Sequence, residues 1–138
     1  MTSYLLDSGF LYATIDTSDT HHAAVKTATE RIRGAVLLPI PAITETAHFL
    51  AKNKGLDSLA KFLTDLPASS IDLIAPTAED YIRSAEILTK YNDANIDFVD
   101  VLIVAMAERL NVTKILTVDR RHFSIFRPTH CESFEILP

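Results

Sequence analysis

The sequence predicts an α/β fold: a mainly parallel sheet of four to five strands with helices on both faces. Three observations carry this expectation. Short apolar runs alternate along the chain with longer segments of helical period, the pattern of strand–helix–strand units. Residues 101–107 read Val-Leu-Ile-Val-Ala-Met-Ala, apolar on every side, so the helix they belong to belongs in the interior. The chain has 138 residues, 48% hydrophobic and 22% charged. That is enough for one domain over residues 1–138, because a chain of this size hides roughly two thirds of its unfolded surface on folding.

The elements follow in order. Residues 3–6 read as a buried strand, followed at once by a short helix over 9–14. Residues 21–33 hold good helix formers and meet Gly34, a C-terminal stop signal. Residues 35–39 are a second apolar strand. Pro41 suits the first turn of a helix that runs to Asn53 and stops near Gly55. Residues 57–66 form another helix, closed by Pro67. Residues 71–74 can form a third strand, and Thr77 with Asp80 opens a helix to Lys90. Residues 98–110 are the buried helix, and 114–118 and 133–137 the fourth and fifth strands.

Composition excludes several functions. With three glycines in all (Gly9, Gly34 and Gly55) there is no Gly-rich phosphate loop. Cys131 is the one cysteine, so neither an intrachain disulfide nor a cysteine-rich zinc site is expected. No run approaches the roughly 20 apolar residues of a membrane span. Residues 1–15 lack a basic start and are interrupted by Asp7, so no signal peptide is expected. The expected setting is the cytoplasm, with no membrane role. A formal net charge of −5 is unusual for a nucleic-acid handler, because phosphates are commonly held by Lys and Arg. A cluster of acids neutralised by a divalent cation removes that objection, since the ion then sets the local field.

Four acids occupy telling positions. Asp7 directly follows the first strand, Glu45 lies in the first helical turns after the second, and Asp119 directly follows the fourth. In an open parallel sheet, sites form beyond the carboxyl ends of the strands, so these three can meet at one edge. Asp100 enters the buried helix in its first turn, with Asp97 three residues earlier on the same face. Two carboxylates about 4 Å apart repel by roughly 4 kcal/mol at an effective dielectric of about 20. A fold tolerates this only with a proton or a cation between them. Oxygen ligands suit Mg²⁺ or Mn²⁺, and one or two such ions could hold a phosphodiester, activate water and stabilise the leaving oxygen. Each acid also has a simpler explanation. Asp7 can cap a helix, Glu45 can favour a helix dipole, Asp97 with Asp100 resembles a capping box, and Asp119 suits a turn. Their joint placement favours a site, with Asp97 the one best explained as a cap.

With these residues the sequence resembles the PIN-domain nucleases, in particular the VapC toxins of bacterial toxin–antitoxin pairs. The similarity lies in Tyr4-Leu5-Leu6-Asp7-Ser8, Thr44-Glu45, the segment from Asp97 to Ala107, and Leu116-Thr117-Val118-Asp119-Arg120-Arg121-His122-Phe123. It runs over nearly the whole chain, in order. The resemblance implies a three-layer α/β/α PIN-like fold, Mg²⁺-dependent endonucleolytic cleavage of RNA (with Mn²⁺ as a substitute), and inhibition by a cognate VapB-like antitoxin. It makes Asp7 and Asp100 the main metal ligands, with Glu45 and Asp119 completing the acidic cluster and Asp97 assisting. Thr117 matches the hydroxyl residue beside the last acid, a candidate substrate contact. His122 stands where many relatives carry an acid or an amide, which puts a second metal in question.

Arg120 and Arg121 follow the last acid and could hold RNA phosphates, or simply begin a solvated helix. His21, His22, His48 and His130 show no ligand spacing and read as structural or surface residues. His122 reads as a substrate or structural contact rather than a base. Apolar residues such as Phe10, Leu11, Phe49, Phe62 and Leu63 could line a groove for an antitoxin helix or a second copy of this chain, a homodimer, or be ordinary core. The competing function is a catalytically silent RNA- or protein-binding module on the same fold; loss of one of the four acids would favour it, and all four are present.

Overall fold

The computed structural model describes residues 2–138. Five strands form one sheet: β1 (Ser3–Leu6), β2 (Ala35–Pro39), β3 (Asp72–Ile74), β4 (Lys114–Leu116) and β5 (Glu135–Leu137). Their spatial order is β3-β2-β1-β4-β5, and every pairing is parallel. Seven helices connect and cover them: α1 (Ser8–Ile15), α2 (His22–Thr29), α3 (Ile40–Lys54), α4 (Leu56–Ala68), α5 (Ala78–Lys90), α6 (Phe98–Leu110) and α7 (Arg120–Ile125).

The order of connection sets the layers. From β1 the chain moves outward through β2 to β3, then returns past β1 to β4 and β5. Right-handed crossovers put α1 to α4 on one face and α5 to α7 on the other. The packing agrees: α1 touches α2 and α3, α3 touches α4, and α5 lies along α6. The direction of travel reverses between β1 and β4. That is the topological switch point, where a crevice opens beyond the strand ends.

β1 is the central strand because Tyr4, Leu5 and Leu6 are apolar on both faces, and all three are buried. The apolar helix is buried as expected: every residue of α6 from Val99 to Ala107 is buried, Asp100 included. It ends where Asn111 takes a left-handed conformation at φ 55°, which the short polar side chain of Asn tolerates. The capping box of Thr77 and Asp80 opens α5, and Pro41 sits in the first turn of α3. Two ion pairs fasten α5 to α6, Arg109 to Asp80 at 2.9 Å and Arg83 to Glu108 at 2.7 Å.

Some boundaries differ from expectation. α2 stops at Thr29 rather than Arg33. Gly34 is not its cap; it lies at φ +143°, where a Cβ would come within 2.0 Å of the Thr2 carbonyl oxygen. Its role is to let the chain entering β2 pass close beside the start of β1. α4 continues one residue beyond Pro67; near a helix's C-terminus, a proline turns the chain without ending it at once. β4 stops at Leu116 and β5 starts at Glu135. α7 starts at Arg120, where a solvated helix start is one of the two readings of the Arg120–Arg121 pair. No helix is long and apolar enough to cross a membrane among the described residues.

Candidate active site

β1 delivers Asp7 at its carboxyl end, and Asp7 becomes the N-cap of α1 by accepting the Ser8 amide at 2.8 Å. Its amide donates to the Leu116 carbonyl at 2.9 Å, so β1 and β4 stay paired up to the site. Thr117, just past β4 and buried, donates its hydroxyl to Asp7 Oδ2 at 2.9 Å. Thr117 Oγ1 in turn accepts the Asp119 amide at 3.0 Å. Thr117 therefore ties the first acid to the last. α1 can approach this exit because residue 9 is glycine: a Cβ there would stand 2.9 Å from Val118 Cγ2.

Glu45 reaches the cluster from the second turn of α3. Ser8 donates its hydroxyl to Glu45 Oε1 at 2.7 Å, so one residue caps against Asp7 with its amide and holds Glu45 with its side chain. On the opposite layer, Asp97 and Asp100 form a capping box at the start of α6. Asp97 Oδ1 accepts the Asp100 amide at 2.9 Å, and Asp100 Oδ2 faces the Asp97 amide at 3.5 Å. Asp97 is thus the cap that its spacing suggested, and it stands in the field of the other acids. Asp119 caps α7, accepting the His122 amide at 3.2 Å. This turn swings the His122 ring inward, with Nδ1 2.6 Å from Asp119 Oδ2 and 3.4 Å from Asp100 Oδ2.

Asp7, Glu45, Asp97, Asp100 and Asp119 are therefore brought together from both layers. The cost is visible in their protonation. Burial, then the charges of Asp97 and Asp7, push the Asp100 carboxyl up to about 8. Burial pushes Asp7 up to about 6; the Thr117 and Ser8 hydrogen bonds pull it down, and Glu45 and Asp97 add to the rise. Burial and the Asp97 charge also raise Glu45. Near neutral pH the metal-free cluster thus retains protons that a cation would displace.

The residues fit a divalent cation. Asp100, Asp119 and His122 each offer a ligand atom, and the three atoms lie within 4.8 Å of one another. His122 Nδ1 is buried and has no hydrogen-bond partner despite the two carboxylates beside it. An orphaned lone pair among carboxylate oxygens is a donor set that wants a positive charge. With such an ion the arrangement can take an anionic phosphodiester, although its own charges would repel one.

The remaining candidates divide. Arg121 is exposed at the start of α7 and free to face solvent. The Arg120 guanidinium donates to the carbonyls of Ile136 and Pro138, which binds α7 to the end of β5 and turns the group from the role of a free phosphate clamp. His22 and His130 bond the carbonyls of Ala13 and Val112, as structural histidines do. Of the groove residues, Phe10, Leu11 and Phe62 are core, whereas Phe49 and Leu63 are exposed. Sequence reasoning missed Ser8 as the link between Asp7 and Glu45, and did not foresee that the His122 ring stands beside both Asp119 and Asp100. The one signal for Ser8 was a hydroxyl directly after the first acid.

A strongly acidic cluster at the switch point of a five-stranded parallel sheet, with helices on both faces, defines the class. The chain belongs to the PIN-domain family, which it matches over residues 4–127. Its similarity extends to particular members. Ribonuclease VapC26 of Mycobacterium tuberculosis is 31% identical over 134 residues, covering 97% of this chain and 99% of that protein. The crystal structure of M. tuberculosis VapC20, described as a Sarcin-Ricin loop cleaving toxin, has a TM-score of 0.75 at 17% identity and covers 81% of this chain and 86% of that one. VapBC2 from Rickettsia felis, bound to a DNA fragment from its promoter, has a TM-score of 0.72 at 16% identity and covers 98% and 97%. These two structural likenesses speak for the fold.

Proposed function

We propose that this chain is a Mg²⁺-dependent endoribonuclease, the toxin of a type II toxin–antitoxin pair, and that it cuts a structured RNA such as tRNA or rRNA. The observation that carries the reading is the convergence of five acids on one crevice, with Asp7 and Asp100 buried and both held well above the usual carboxylate range. A near-full-length relative named a ribonuclease supports it.

Asp7 and Asp100 are the main metal ligands, Glu45 and Asp119 complete the cluster, and Asp97 assists while capping α6. Mg²⁺, or Mn²⁺ in its stead, supplies the positive charge that draws in the phosphodiester, activates water and offsets charge on the leaving oxygen. Thr117 fixes the rotamer of Asp7 through its 2.9 Å bond. Ser8 does the same for Glu45 at 2.7 Å, leaving the other Glu45 oxygen to accept a proton from water. Arg121, exposed beside the cluster, pairs with a flanking phosphate. Arg120 contributes by fixing α7 to β5. The partners are the RNA, a VapB-like antitoxin and a second copy of the chain. Solved relatives described as a toxin–antitoxin complex from Klebsiella pneumoniae and VapBC from Salmonella typhimurium favour the antitoxin. The exposed Ile15, Phe49 and Leu63 on α1, α3 and α4 are apolar surface for such contacts.

The test is to map RNA 5′ ends after a brief induction. New discrete ends should arise with the wild-type chain and vanish with Asp7→Asn, and co-expression of the neighbouring antitoxin gene should suppress them. Identical end profiles from wild type and Asp7→Asn would defeat the assignment.

A further inference from the structure

His122 departs from an all-oxygen site, and its surroundings give that departure a meaning. Its Nδ1 is buried, stands 2.6 Å from Asp119 Oδ2 and 3.4 Å from Asp100 Oδ2, and hydrogen-bonds to neither. Were the nitrogen protonated, its N–H would point along the ring plane, and neither carboxylate oxygen stands where that hydrogen could be accepted. Were it unprotonated, its lone pair would lie along that same in-plane direction with no hydrogen to accept, beside two carboxylate oxygens that repel it. Both states leave the nitrogen unsatisfied, and a cation shared by all three atoms satisfies it.

The local backbone holds the ring there. Asp119 accepts the His122 amide at 3.2 Å, so the two side chains project together from the first turn of α7. The next residue, Phe123, is fully buried in the core and fixes that turn's rotation. His122 itself retains 27% of its side-chain exposure, which leaves Nε2–H free for water or substrate while Nδ1 faces inward.

We infer that His122 is a metal ligand through Nδ1, making this a mixed oxygen–nitrogen centre with Asp100 and Asp119, and that this nitrogen shifts the site's preference from Mg²⁺ towards Mn²⁺ and later divalent ions. Mg²⁺ prefers oxygen donors and keeps its waters, whereas imidazole stabilises first-row transition ions. This inference rests on the metal-dependent reading of the acid cluster and adds one ligand and a selectivity to it.

The probe is Mn²⁺ alone, added to the full chain and followed by electron paramagnetic resonance. Bound Mn²⁺ should show coupling to a histidine ¹⁴N. That coupling should change to the ¹⁵N pattern in protein grown with ¹⁵N-histidine, a readout needing no mutation. His122→Asn should abolish it and weaken Mn²⁺ binding by on the order of tenfold, with a smaller change for Mg²⁺, so that the Mn²⁺/Mg²⁺ affinity ratio falls. Bound Mn²⁺ that is weakened by Asp100→Asn but never couples to a histidine nitrogen overturns the role of His122 and leaves the nuclease reading standing. Coupling that persists in His122→Asn overturns it as well. If Mn²⁺ does not bind, or binds equally well to Asp100→Asn, the reading of the acid cluster falls and this inference with it.

Discussion

Asp100 shows at the scale of one residue why this crevice needs a cation. Its carboxyl is raised from 3.8 to about 8, and that of Asp7 from 3.8 to about 6. The folded protein therefore binds more protons than the unfolded chain between these limits, and the stability linked to them is complete below about pH 4 and lost as pH rises through about 6 and then about 8. The metal-free protein should melt at progressively lower temperature across that window. Mg²⁺ should restore the melting temperature far more at about pH 8 than at about pH 5, where protons compete for the same oxygens. A metal-free melting temperature that is flat or rises from pH 4 to pH 8 would contradict the account. Above about pH 8, where Asp100 has given up its proton, Asp100→Asn removes the buried charge and should stabilise the metal-free chain while ending its response to Mg²⁺; calorimetric scans with and without the ion measure both. Thr117→Val leaves Asp7 without its hydroxyl partner and should cost roughly 1 kcal/mol of stability, measured by urea unfolding. The acids themselves were legible in the sequence because each follows a strand or opens the apolar helix. The Ser8 link to Glu45 and the approach of the His122 ring to Asp100 were not, because both depend on where side-chain atoms meet residues far along the chain.

At the scale of elements, most of the fold could be read from punctuation and period: the apolar run of α6, the Thr77–Asp80 box, Pro41 at the start of α3 and Gly55 at its end. What escaped was set by tertiary contact. Gly34 looks like a helix stop, yet its space is dictated by the Thr2 carbonyl 2.0 Å from where a Cβ would be. Gly34→Ala should therefore lose about 3 kcal/mol or more, because it meets both that clash and a backbone conformation at φ +143°. Gly9→Ala should be milder. The helical backbone gains about 1 kcal/mol from alanine, while the new Cβ presses on the Val118 methyl at 2.9 Å. Urea midpoints of the two variants compare these costs directly. The extent of α7 escaped because its six residues are too few to show a period; Arg120 and Arg121 marked only where it could begin.

Across the whole molecule, strand order turns local chemistry into a site. Because the chain reverses direction between β1 and β4, Asp7 and Asp119 emerge side by side, with α3 bringing Glu45 from one layer and α6 bringing Asp100 from the other. This accounts for how a chain with a net charge of −5 can have RNA as its proposed substrate: affinity for phosphate resides in the cation the acids gather. The same sheet divides the apolar residues, burying Phe10, Leu11 and Phe62 beneath α1 and α4 while leaving Phe49 and Leu63 exposed. Sequence alone could not separate these groups, since helical period gives a face but not which neighbour covers it. The central claim is that this convergence makes a metal-dependent RNA-cleaving centre, and one measurement addresses it most directly: single-turnover cleavage of a structured RNA by wild type and by folded Asp100→Asn, each with Mg²⁺ and with excess chelator. The account predicts cleavage by wild type with Mg²⁺, none with chelator, and a rate at least about 100-fold lower for Asp100→Asn. Cleavage by Asp100→Asn at the wild-type rate, or cleavage indifferent to chelation, would contradict it.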